Sequence, residues 1–552
     1  MSVEANVIGF GKVNLDSNIN LLELSKKLYK DDYKKYLGAR INNRIYNLDT
    51  EVEEGMEIKF LNIKDEDGYR IYTKTISAIF IMACKELYPE ATASIEHFLG
   101  PGLYVKLEKP YSIRFTQLKE IENKMREIIE KDYKIERNMY TKEEAIEKFK
   151  EYGYADKVRL FKSIERETVS IYRVGNHIDS FHGYLTPSTG YIKEFRLKYY
   201  YPGAIILFPS KRNNYNIDNF VEQKKLAQIF EESSKWLRIL DLAHVGSLNE
   251  KIHNGEITEA IKVSEALHEK KIGQIADQIC EKNNNNIILI AGPSSSGKTT
   301  FAQRLAIQLK VNGKRPIAIS LDDYFVNRED TPLNEDGEYD FESLDVLDLE
   351  LLNMDLLKLI EGQSVELPKF NFRTGKREQS GKVIKVDENQ PIIIEGIHGL
   401  NPKLTYEIPE KNKFKIYISA LTQLNLDSHN RISTTNIRLI RRMVRDVKFR
   451  GNDPIRTFEL WKGVRKGEEE NIFPYQEEAD AMINSSLVYE MSVLKKYIMP
   501  LLKEIDNSSI YYSDARKLLR FLEYFVDIED ESAIPTNSIL REFIGGASFN
   551  IH

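Results

Sequence analysis

The pattern of apolar and polar positions changes several times along the chain. The first 63 residues show short, alternating apolar stretches separated by turn residues, which is typical of β-strands. The elements predicted there are a helix at 21–28, a hairpin with an Asn-Asn turn at 37–48 and a strand at 55–61. The next region, to about residue 225, mixes strands with apolar helices predicted at 74–86 and 116–131. We therefore expect a small β-rich module followed by an α/β region.

Helical periods dominate the stretch that follows, and a tract of four asparagines at 283–286 predicts a junction, because asparagine favours turns. Beyond it, the fully apolar run 287–291 predicts a strand buried on both faces, and a helical period follows at 300–309. Further buried strands are predicted at 315–321 and 391–395. Alternating strands and helices predict an α/β fold with a doubly wound parallel sheet.

A glycine-rich loop connects the first of these strands to its helix. Residues 292–299 read Gly-Pro-Ser-Ser-Ser-Gly-Lys-Thr and fill every required position of the phosphate-binding pattern G-x-x-x-x-G-K-[ST]. In such a loop, Lys298 reaches the β- and γ-phosphates and Thr299 holds Mg²⁺. ATP and Mg²⁺ are therefore the expected cofactors, unless this is a Gly/Ser turn that happens to carry a lysine. The residues expected to contact ATP are Gly292, Ser294, Ser295, Ser296, Gly297, Lys298, Thr299 and Thr300.

Acidic residues stand at the ends of the next two buried strands. Asp322 and Asp323 follow the strand at 315–321, and Glu395 ends the strand at 391–395. Ligands of open α/β sheets bind at the carboxyl ends of the strands, so Asp322 can face the transferred phosphoryl group and Glu395 can help to hold Mg²⁺. The alternatives are a helix N-cap or turn acid for the aspartates and a surface strand end for the glutamate.

Arginines recur at helical spacing further along the chain. Arg438, Arg441, Arg442 and Arg445 are three or four residues apart, so they share one face of a helix, and Arg450 precedes a flexible Gly-Asn-Asp-Pro stretch. Such a stripe suits a lid that closes over a triphosphate. Taken alone, a basic helix face is also compatible with a solvated or salt-bridged surface.

Composition narrows the class of protein. The chain has 552 residues, a net charge of −6 and only two cysteines, Cys84 and Cys280. This length predicts about three to four domains, and two cysteines exclude a disulfide framework. The charge predicts no global affinity for nucleic acid or anionic membranes. No apolar run approaches the roughly 18 residues of a membrane span, and the start lacks the pattern of a signal peptide, so we expect a cytoplasmic protein without a membrane partner.

The ordered motifs of the second half resemble those of the uridine kinase family. They are Gly-Pro-Ser-Ser-Ser-Gly-Lys-Thr-Thr at 292–300, Ser-Leu-Asp-Asp-Tyr-Phe at 320–325, Tyr-Asp-Phe-Glu-Ser-Leu-Asp at 339–345, Glu-Gly-Ile at 395–397 and Arg-Arg-Met-Val-Arg-Asp at 441–446. The resemblance implies ATP-dependent phosphorylation of a nucleoside 5′-hydroxyl, with Asp322 as the base. It also implies that Glu342 grips the ribose hydroxyls, in place of an aspartate, and that Arg442, Arg445 and Arg450 are lid arginines.

The part of the motif that contacts the nucleobase departs from this family. The family has Pro-x-Tyr-x-Phe and then a histidine that reads the base, whereas this chain has Pro-Lys-Phe-Asn-Phe at 368–372 and Gly375 in the histidine's place. Phe325, Phe370 and Phe372 are expected beside the acceptor. Because two polar contacts with the base are missing, we expect relaxed or redirected base specificity and an unchanged phosphoryl transfer.

The N-terminal half resembles a different family. Residues 1–63 resemble a TGS domain, and residues 64–235 resemble the editing-type domain of threonyl-tRNA synthetases, most clearly at 171–175, 187–190 and 194–198. The positions that match this family's metal-site signatures are Ile76, Phe80, Phe181 and Leu185, and the nearby histidines are His177 and His182. Aliphatic and aromatic side chains cannot ligate a metal, so a retained zinc or editing site is not expected. The two histidines are expected to be ordinary polar residues.

Together these observations predict a P-loop kinase domain preceded by a TGS-like β-rich domain and an α+β editing-like domain. The predicted limits are 1–63, 64–235, a helical linker at 236–286, the kinase domain at 287–500 and a helical extension at 501–552, with helices at 491–505 and 513–525. The predicted activity is nucleoside phosphorylation, in which Lys298, Asp322, Arg442 and Arg445 act on the reacting groups. The alternatives are a nucleotide-responsive RNA- or ribosome-binding regulator and a sugar-phosphate kinase of the phosphoribulokinase type. The sequence makes no prediction of the oligomeric state.

Overall fold

The computed structural model describes residues 2–16, 18–108, 111–282, 287–333, 337, 339–371, 374–387, 389–422 and 424–549. The predicted Asn tract at 283–286 and Phe372 lie outside these residues.

The first module is a five-stranded sheet with one α-helix. Its elements are β1 Ser2–Val7, β2 Gly11–Asp16, α1 Leu21–Tyr29, β3 Tyr36–Ile41, β4 Arg44–Tyr46 and β5 Glu57–Asn62. The strand order is β2-β1-β5-β3-β4. Asn42 and Asn43 connect β3 to β4 with φ angles of 45° and 63°, the left-handed conformation that asparagine tolerates in two-residue hairpin turns. The predicted helix, hairpin and strand are thereby confirmed.

The second region is α+β. Its elements are α2 Glu66–Leu87, β6 Ala93–Leu99, β7 Gly102–Leu107, α3 Phe115–Glu130, β8 Ile135–Thr141, α4 Lys142–Glu151, α5 Ala155–Ser163, β9 Thr168–Val174, β10 His177–Asp179, β11 Arg196–Tyr200 and β12 Gly203–Leu207. They form one antiparallel sheet of order β11-β12-β7-β6 and another of order β10-β9-β8. Helix α2 begins at Glu66 rather than at residue 74. Its first turns are polar, and Gly68 packs so closely on Asn62 that a Cβ there would lie 1.9 Å from the Asn62 carbonyl oxygen.

The positions that correspond to metal ligands in the synthetase family lie in the apolar core of this region. Ile76, Phe80, Phe181 and Leu185 are all buried in one cluster that α2 shares with the strands. None of these side chains carries a metal-binding atom. His177 Nε2 lies 3.3 Å from Glu86 Oε1. His182 is partly buried, and desolvation together with nearby positive charges such as Lys74 lowers its pKa well below the ordinary value.

Three helices, α6 Lys224–Ile239, α7 Val245–His253 and α8 Ile257–Glu281, lead to the second half of the chain. The stretch predicted as a linker does more than connect. Ile272, Ile275 and Ile279 of α8 are buried and pack in one cluster with Ile288 and Ile290 of the following strand. The domain limits themselves stay predictions.

The second half is built on a parallel sheet. Its elements are β13 Ile287–Ala291, α9 Lys298–Val311, β14 Ile317–Ser320, α10 Leu349–Ile360, β15 Val365–Asn371, β16 Lys376–Ile384, β17 Ile392–Glu395, β18 Lys413–Ser419, α11 Thr434–Arg445, α12 Pro454–Asn471, β19 Ala481–Asn484, α13 Glu490–Lys503, α14 Tyr512–Leu522 and α15 Arg541–Ile544. The sheet has the order β14-β17-β13-β18-β19 with all pairs parallel, while β15 and β16 form a separate antiparallel hairpin.

Both faces of this sheet are covered by helices. Ile287 and Leu289 of β13 point to the face packed by α10, whereas Ile288 and Ile290 point to the face packed by α8 and α9. This alternation is the period of two expected of a strand, and the strand reads as continuously apolar because both faces are buried. The predicted α/β class with a doubly wound parallel sheet is confirmed.

A buried group of charges joins the two halves of the chain. Lys157 of α5 is fully buried, donates to Asp427 Oδ1 at 2.8 Å and lies 3.0 Å from Asp179 Oδ1. Asp179 Oδ2 in turn lies 2.7 Å from His429 Nδ1. Burial opposes the charge of Lys157, but Asp179, Asp427 and Asp156 together raise its pKa. The loop that precedes α11 is thus fixed to the N-terminal half by paired charges.

Among the residues that the structure describes, no helix is long and apolar enough to cross a lipid bilayer.

Candidate active site

The glycine-rich loop occupies the turn between β13 and α9, at the carboxyl edge of the sheet. A Cβ at Gly292 would lie 2.0 Å from the Ile418 carbonyl oxygen, so only glycine fits against the neighbouring strand. Ser295 and Gly297 have φ angles of 59° and 83°, which turn the backbone before the helix begins at Lys298. The result is a loop whose N–H groups lead into a helix N-terminus, the arrangement that binds anions in proteins.

Several polar groups of this loop are buried and could bind an anion. Lys298 Nζ donates to the carbonyl oxygens of Gly292 and Pro293 at 2.9 and 3.3 Å. The hydroxyl oxygens of Ser295 and Ser296 are buried and have no hydrogen-bond partner among the described residues. Burial lowers the pKa of Lys298, although Glu395, Glu542 and Glu468 act in the opposite direction. Buried, unpaired donors of this kind fit a polyphosphate, which would satisfy them.

Two arginines of α11 donate hydrogen bonds to the backbone of the glycine-rich loop. Arg438 donates to the Ser294 carbonyl oxygen at 3.1 Å, and its partner Glu468 accepts from the Ser294 N–H at 3.1 Å. Arg441 donates to the Ser295 carbonyl oxygen at 3.3 Å and to Glu490 at 2.6 Å. Both guanidinium groups are fully buried in ion pairs. The expected phosphate-facing stripe is therefore wrong for Arg438 and Arg441, for which the salt-bridged alternative holds.

The other three arginines gather around one buried carboxylate. Asp446 lies 3.2 Å from Arg442 Nε, 2.9 Å from Arg445 Nη2 and 3.8 Å from Arg450 Nη1. Arg442 also donates to the Ser294 hydroxyl oxygen at 3.0 Å, which places its guanidinium at the loop. A carboxylate shared among three arginines fixes their positions and leaves positive charge in excess. Asp446 was not predicted as a site residue, although the Arg-Asp pair at the end of the helix was a signal for it.

Thr299 and Glu395 meet where the sequence predicts a metal. Thr299 Oγ1, in the first turn of α9, donates to Oε1 of Glu395 at the end of β17, over a distance of 2.8 Å. Burial raises the pKa of Glu395, and Lys298 and the Thr299 hydroxyl oppose this. One hydroxyl and one carboxylate fit Mg²⁺, which takes one or two protein oxygens and completes its shell with phosphate and water. No cluster of three His, Cys, Asp or Glu side chains suited to a metal occurs among the described residues.

Asp322 lies in the 3₁₀ turn that follows β14 and is near enough to Lys298 for that charge to act on its carboxyl. Its side chain is open to solvent. Partial desolvation by the surrounding protein and the charge of Asp323 raise the pKa of Asp322, while Lys298 and Arg450 act in the opposite direction. A reachable carboxylate of raised pKa near a phosphate-binding loop is suited to accept a proton from an acceptor hydroxyl.

Glu342 packs against α12. Gly467 lets the two elements approach, since a Cβ there would lie 2.6 Å from Glu342 Cβ, and Asn471 donates to the Glu342 carbonyl oxygen at 3.0 Å. Burial raises the pKa of the Glu342 carboxyl to about 6, even though Arg442 acts in the opposite direction. A carboxylate held here at a desolvation cost is available to accept hydrogen bonds from a ligand.

We expect the Glu342→Gln protein to be more stable than the wild type at pH 8 by about 1 to 2 kcal/mol. The folded pKa of about 6 lies above the ordinary 4.5, so the neutral form is favoured in the folded protein. The contribution of Glu342 to stability is therefore complete below about pH 4.5 and is lost as the pH rises through about 6. Thermal unfolding from pH 5 to 8 measures this. Glu329→Gln, at an exposed carboxyl, is the control; an equal gain in both variants, or none in either, would contradict the assignment.

The predicted acceptor aromatics form one wall beside Asp323. The rings of Phe325 and Phe370 meet edge to face with centroids 5.5 Å apart, and the Phe370 N–H donates to Asp323 at 3.3 Å. Gly375 has a φ of 70°, and a Cβ there would lie 2.9 to 3.1 Å from the Arg328 side chain. Arg328 therefore fills the space that a side chain at position 375 would take. This arginine was not predicted from the sequence.

The second half of the chain is similar to known proteins. Residues 287–492 match the model of the Phosphoribulokinase / Uridine kinase family. Among solved structures, a possible uridine kinase from Bacillus stearothermophilus is 19% identical, covers 39% of this chain and 98% of its own, and has a TM-score of 0.27. The D-glycerate 3-kinase from Cryptococcus neoformans var. grubii serotype A is 15% identical, covers 48% and 89%, and has a TM-score of 0.20.

The N-terminal region is similar to a second group of proteins. The threonine–tRNA ligase of Caldanaerobacter subterraneus subsp. tengcongensis is 33% identical over 187 residues, and that of Clostridium tetani is 34% identical over 189 residues. Each match covers 34% of this chain, and the chain spans only 29% and 30% of the two ligases. Residues 287–492 thus match the phosphoribulokinase/uridine kinase family model, and the N-terminal region of the chain is similar in sequence to part of the threonine–tRNA ligases.

Proposed function

We propose that this protein is an ATP-dependent kinase that transfers the γ-phosphoryl group to the 5′-hydroxyl of a nucleoside. The observation that supports this best is the convergence of three strand ends. The loop after β13, Asp322 after β14 and Glu395 at the end of β17 lie on neighbouring strands of one parallel sheet. A phosphate-binding loop, a base and a metal-binding carboxylate thereby lie at the same edge of the sheet.

Each side chain then has a role set by its position. Lys298 and the loop amides hold the phosphate chain, and Thr299 with Glu395 hold Mg²⁺, which when bound neutralises charge on the phosphates. Asp322 accepts the proton of the acceptor hydroxyl. Arg442 and Arg445, oriented by Asp446, stabilise charge that develops on the transferred group, and Arg450 adds a third positive charge. Glu342 holds the ribose hydroxyls, and Phe325 and Phe370 pack beside the base.

The proposal is tested by a coupled ADP-release assay with Mg·ATP over a panel of ribo- and deoxynucleosides. We expect turnover with at least one nucleoside and a loss of about 10²- to 10³-fold in the Lys298→Ala protein, because that change removes a charge aimed at the phosphates. Lys310→Ala, at the other end of the same helix, is the control and should keep full activity. ATP binding without phosphorylation of any nucleoside in the panel would contradict the proposal.

A second candidate is a kinase for a phosphorylated sugar. The observation that favours it is Arg328, whose side chain lies over Gly375 where the nucleoside kinases have a base-reading histidine. A guanidinium there suits a phosphate group on the acceptor. The same assay with sugar phosphates separates the candidates, since a preference for free nucleosides would exclude this one. If ATP binds and no acceptor reacts, tRNA binding by the N-terminal region at low salt becomes the test of a regulatory, RNA-binding role.

A further inference from the structure

A segment near the C-terminus, residues 538–545, lies against the proposed nucleotide site. Four of its apolar side chains, those of Ile539, Leu540, Phe543 and Ile544, are buried. The Phe543 ring lies 5.0 Å from the Arg441 guanidinium, which itself supports the glycine-rich loop. The Ser538 hydroxyl donates to Glu265 of α8. The segment is thus built into the domain rather than resting on its surface.

Two residues of the 538–545 segment contact the loop and its helix directly. A Cβ at Gly297 would lie 2.5 Å from Ile539 Cγ2, so Ile539 packs on the last glycine of the loop. Glu542 Oε2 accepts from the Thr300 N–H at 3.3 Å and from the Thr300 hydroxyl at 2.7 Å. Thr300 is the third residue of α9, whose first N–H groups have no partner within the helix.

The carboxylate of Glu542 therefore occupies an anion position of the phosphate loop. Free N–H groups in the first turn of a helix bind phosphate oxygens, and an oxygen of Glu542 now takes both donors of Thr300. A carboxylate in the first turn also stabilises a helix, but such capping groups normally come from the residues next to the helix. Here the acceptor comes from 242 residues away in the sequence. A phosphate oxygen that used the Thr300 N–H would displace it.

We propose that the 538–545 segment is an intramolecular competitor of the nucleotide, with Glu542 in the place of a phosphate oxygen. This inference rests on the proposed function only in taking Mg·ATP as the ligand of the loop. Nucleotide binding then requires Glu542 to leave Thr300 and Ile539 to leave Gly297. The apparent affinity for nucleotide is reduced by the fraction of molecules in which the segment is docked.

The lid arginines are connected to the same segment. Lys448, in the π-helical turn 446–450 that follows α11, donates to the Ile544 carbonyl oxygen, and Gly545 packs on Lys448 and Phe449. This turn begins with Asp446 and ends with Arg450. Displacement of the segment frees the turn that carries Arg450, so nucleotide entry and lid rearrangement are coupled.

The first test measures Mg·ATP binding by calorimetry to full-length wild type and Glu542→Gln, without an acceptor. Glutamine keeps the shape of Glu542 and removes its charge, so we expect binding to tighten by about tenfold. Glu529→Gln, at an exposed glutamate of the same region, is the matched control and should bind as the wild type does. Unchanged or weaker binding by Glu542→Gln would overturn the inference, because a residue that positions the loop should weaken binding when it is lost.

Hydrogen exchange of wild-type protein gives a second measurement that needs no variant. Saturating Mg·ATP should increase amide exchange in residues 538–545 and decrease it in residues 292–300. Greater protection of 538–545 on ATP binding would overturn the inference, since the segment would then close over the nucleotide. Neither measurement needs phosphoryl transfer, so a failure to phosphorylate any acceptor would contradict the proposed function and leave this inference standing. If an acceptor is phosphorylated while Glu542→Gln binds ATP like the wild type, the inference is wrong and the proposed function stands.

Discussion

Replacing Asp322 by Asn is expected to lower kcat by about 10²- to 10⁴-fold, because the amide cannot accept the proton of the acceptor hydroxyl. The two side chains have nearly the same size, and Asp322 is open to solvent, so folding should not change. Because Asp322 is expected to act on the acceptor hydroxyl rather than on the phosphates, ATP affinity should stay within about twofold. Single-turnover kinetics with calorimetric ATP binding separate the two quantities.

The neighbouring acid provides a matched control for this variant. Asp323 accepts from the Phe370 N–H and so helps to position the acceptor wall. We expect Asp323→Asn to raise KM for the acceptor more than it lowers kcat, because it weakens acceptor binding and leaves the base in place. Equal losses of kcat in both variants, or a loss below about threefold in Asp322→Asn, would show that Asp322 is not the base.

The second large effect concerns stability. Replacing Lys157 by Ala is expected to lower the free energy of unfolding by about 3 to 5 kcal/mol, since it removes the ammonium group that pairs with the buried carboxylates of Asp179 and Asp427. Removing one partner of a buried ion pair destabilises the folded protein by more than the intact pair stabilises it, because the remaining charge is buried without compensation. The lysine is fully buried, so solvent cannot replace its ammonium group.

Denaturant unfolding followed by intrinsic fluorescence measures the loss, with Lys162→Ala on the exposed side of the same helix as control. The control should stay within about 0.5 kcal/mol of the wild type. Adding Asp427→Asn to Lys157→Ala should recover part of the loss, because one of the two carboxylates that lose the ammonium group is then replaced by a neutral amide. A Lys157→Ala protein as stable as the control would mean that water reaches this cluster.

The parts of the site that sequence alone predicted are those set by local pattern. The loop at 292–299 could be read because each position of the pattern has its own backbone or phosphate role. Asp322 and Glu395 could be placed together because parallel strands bring their carboxyl ends to one edge. Their arrangement in the structure follows from the strand order, in which β13 and β14 both border β17.

The partners that hold these groups could not be predicted, because they come from far along the chain. Glu468 accepts a hydrogen bond from Ser294, which is 174 residues away in the sequence, and Glu542 accepts one from Thr300, which is 242 residues away. Spacing on one helix shows that Arg438 and Arg441 share a face, but only the tertiary contacts show that this face lies beneath the loop in ion pairs. The apolar pattern likewise predicted a start of α2 at residue 74, which is too late. The first turns of this helix have no apolar stripe, and Gly68 packs there on the Asn62 backbone.

Helix α8 packs as part of the second half of the chain, although it lies outside the residues that match the family model. Its isoleucines cover one face of the sheet, and its Glu269 binds Arg304 of α9. The family match begins only at residue 287, after this helix. A recombinant fragment cut at that point would leave a strip of the sheet bare and prone to aggregate. A fragment or fusion protein that contains the second half should therefore include α8. The boundary at which the chain can be cut lies before this helix and not at the start of the family match.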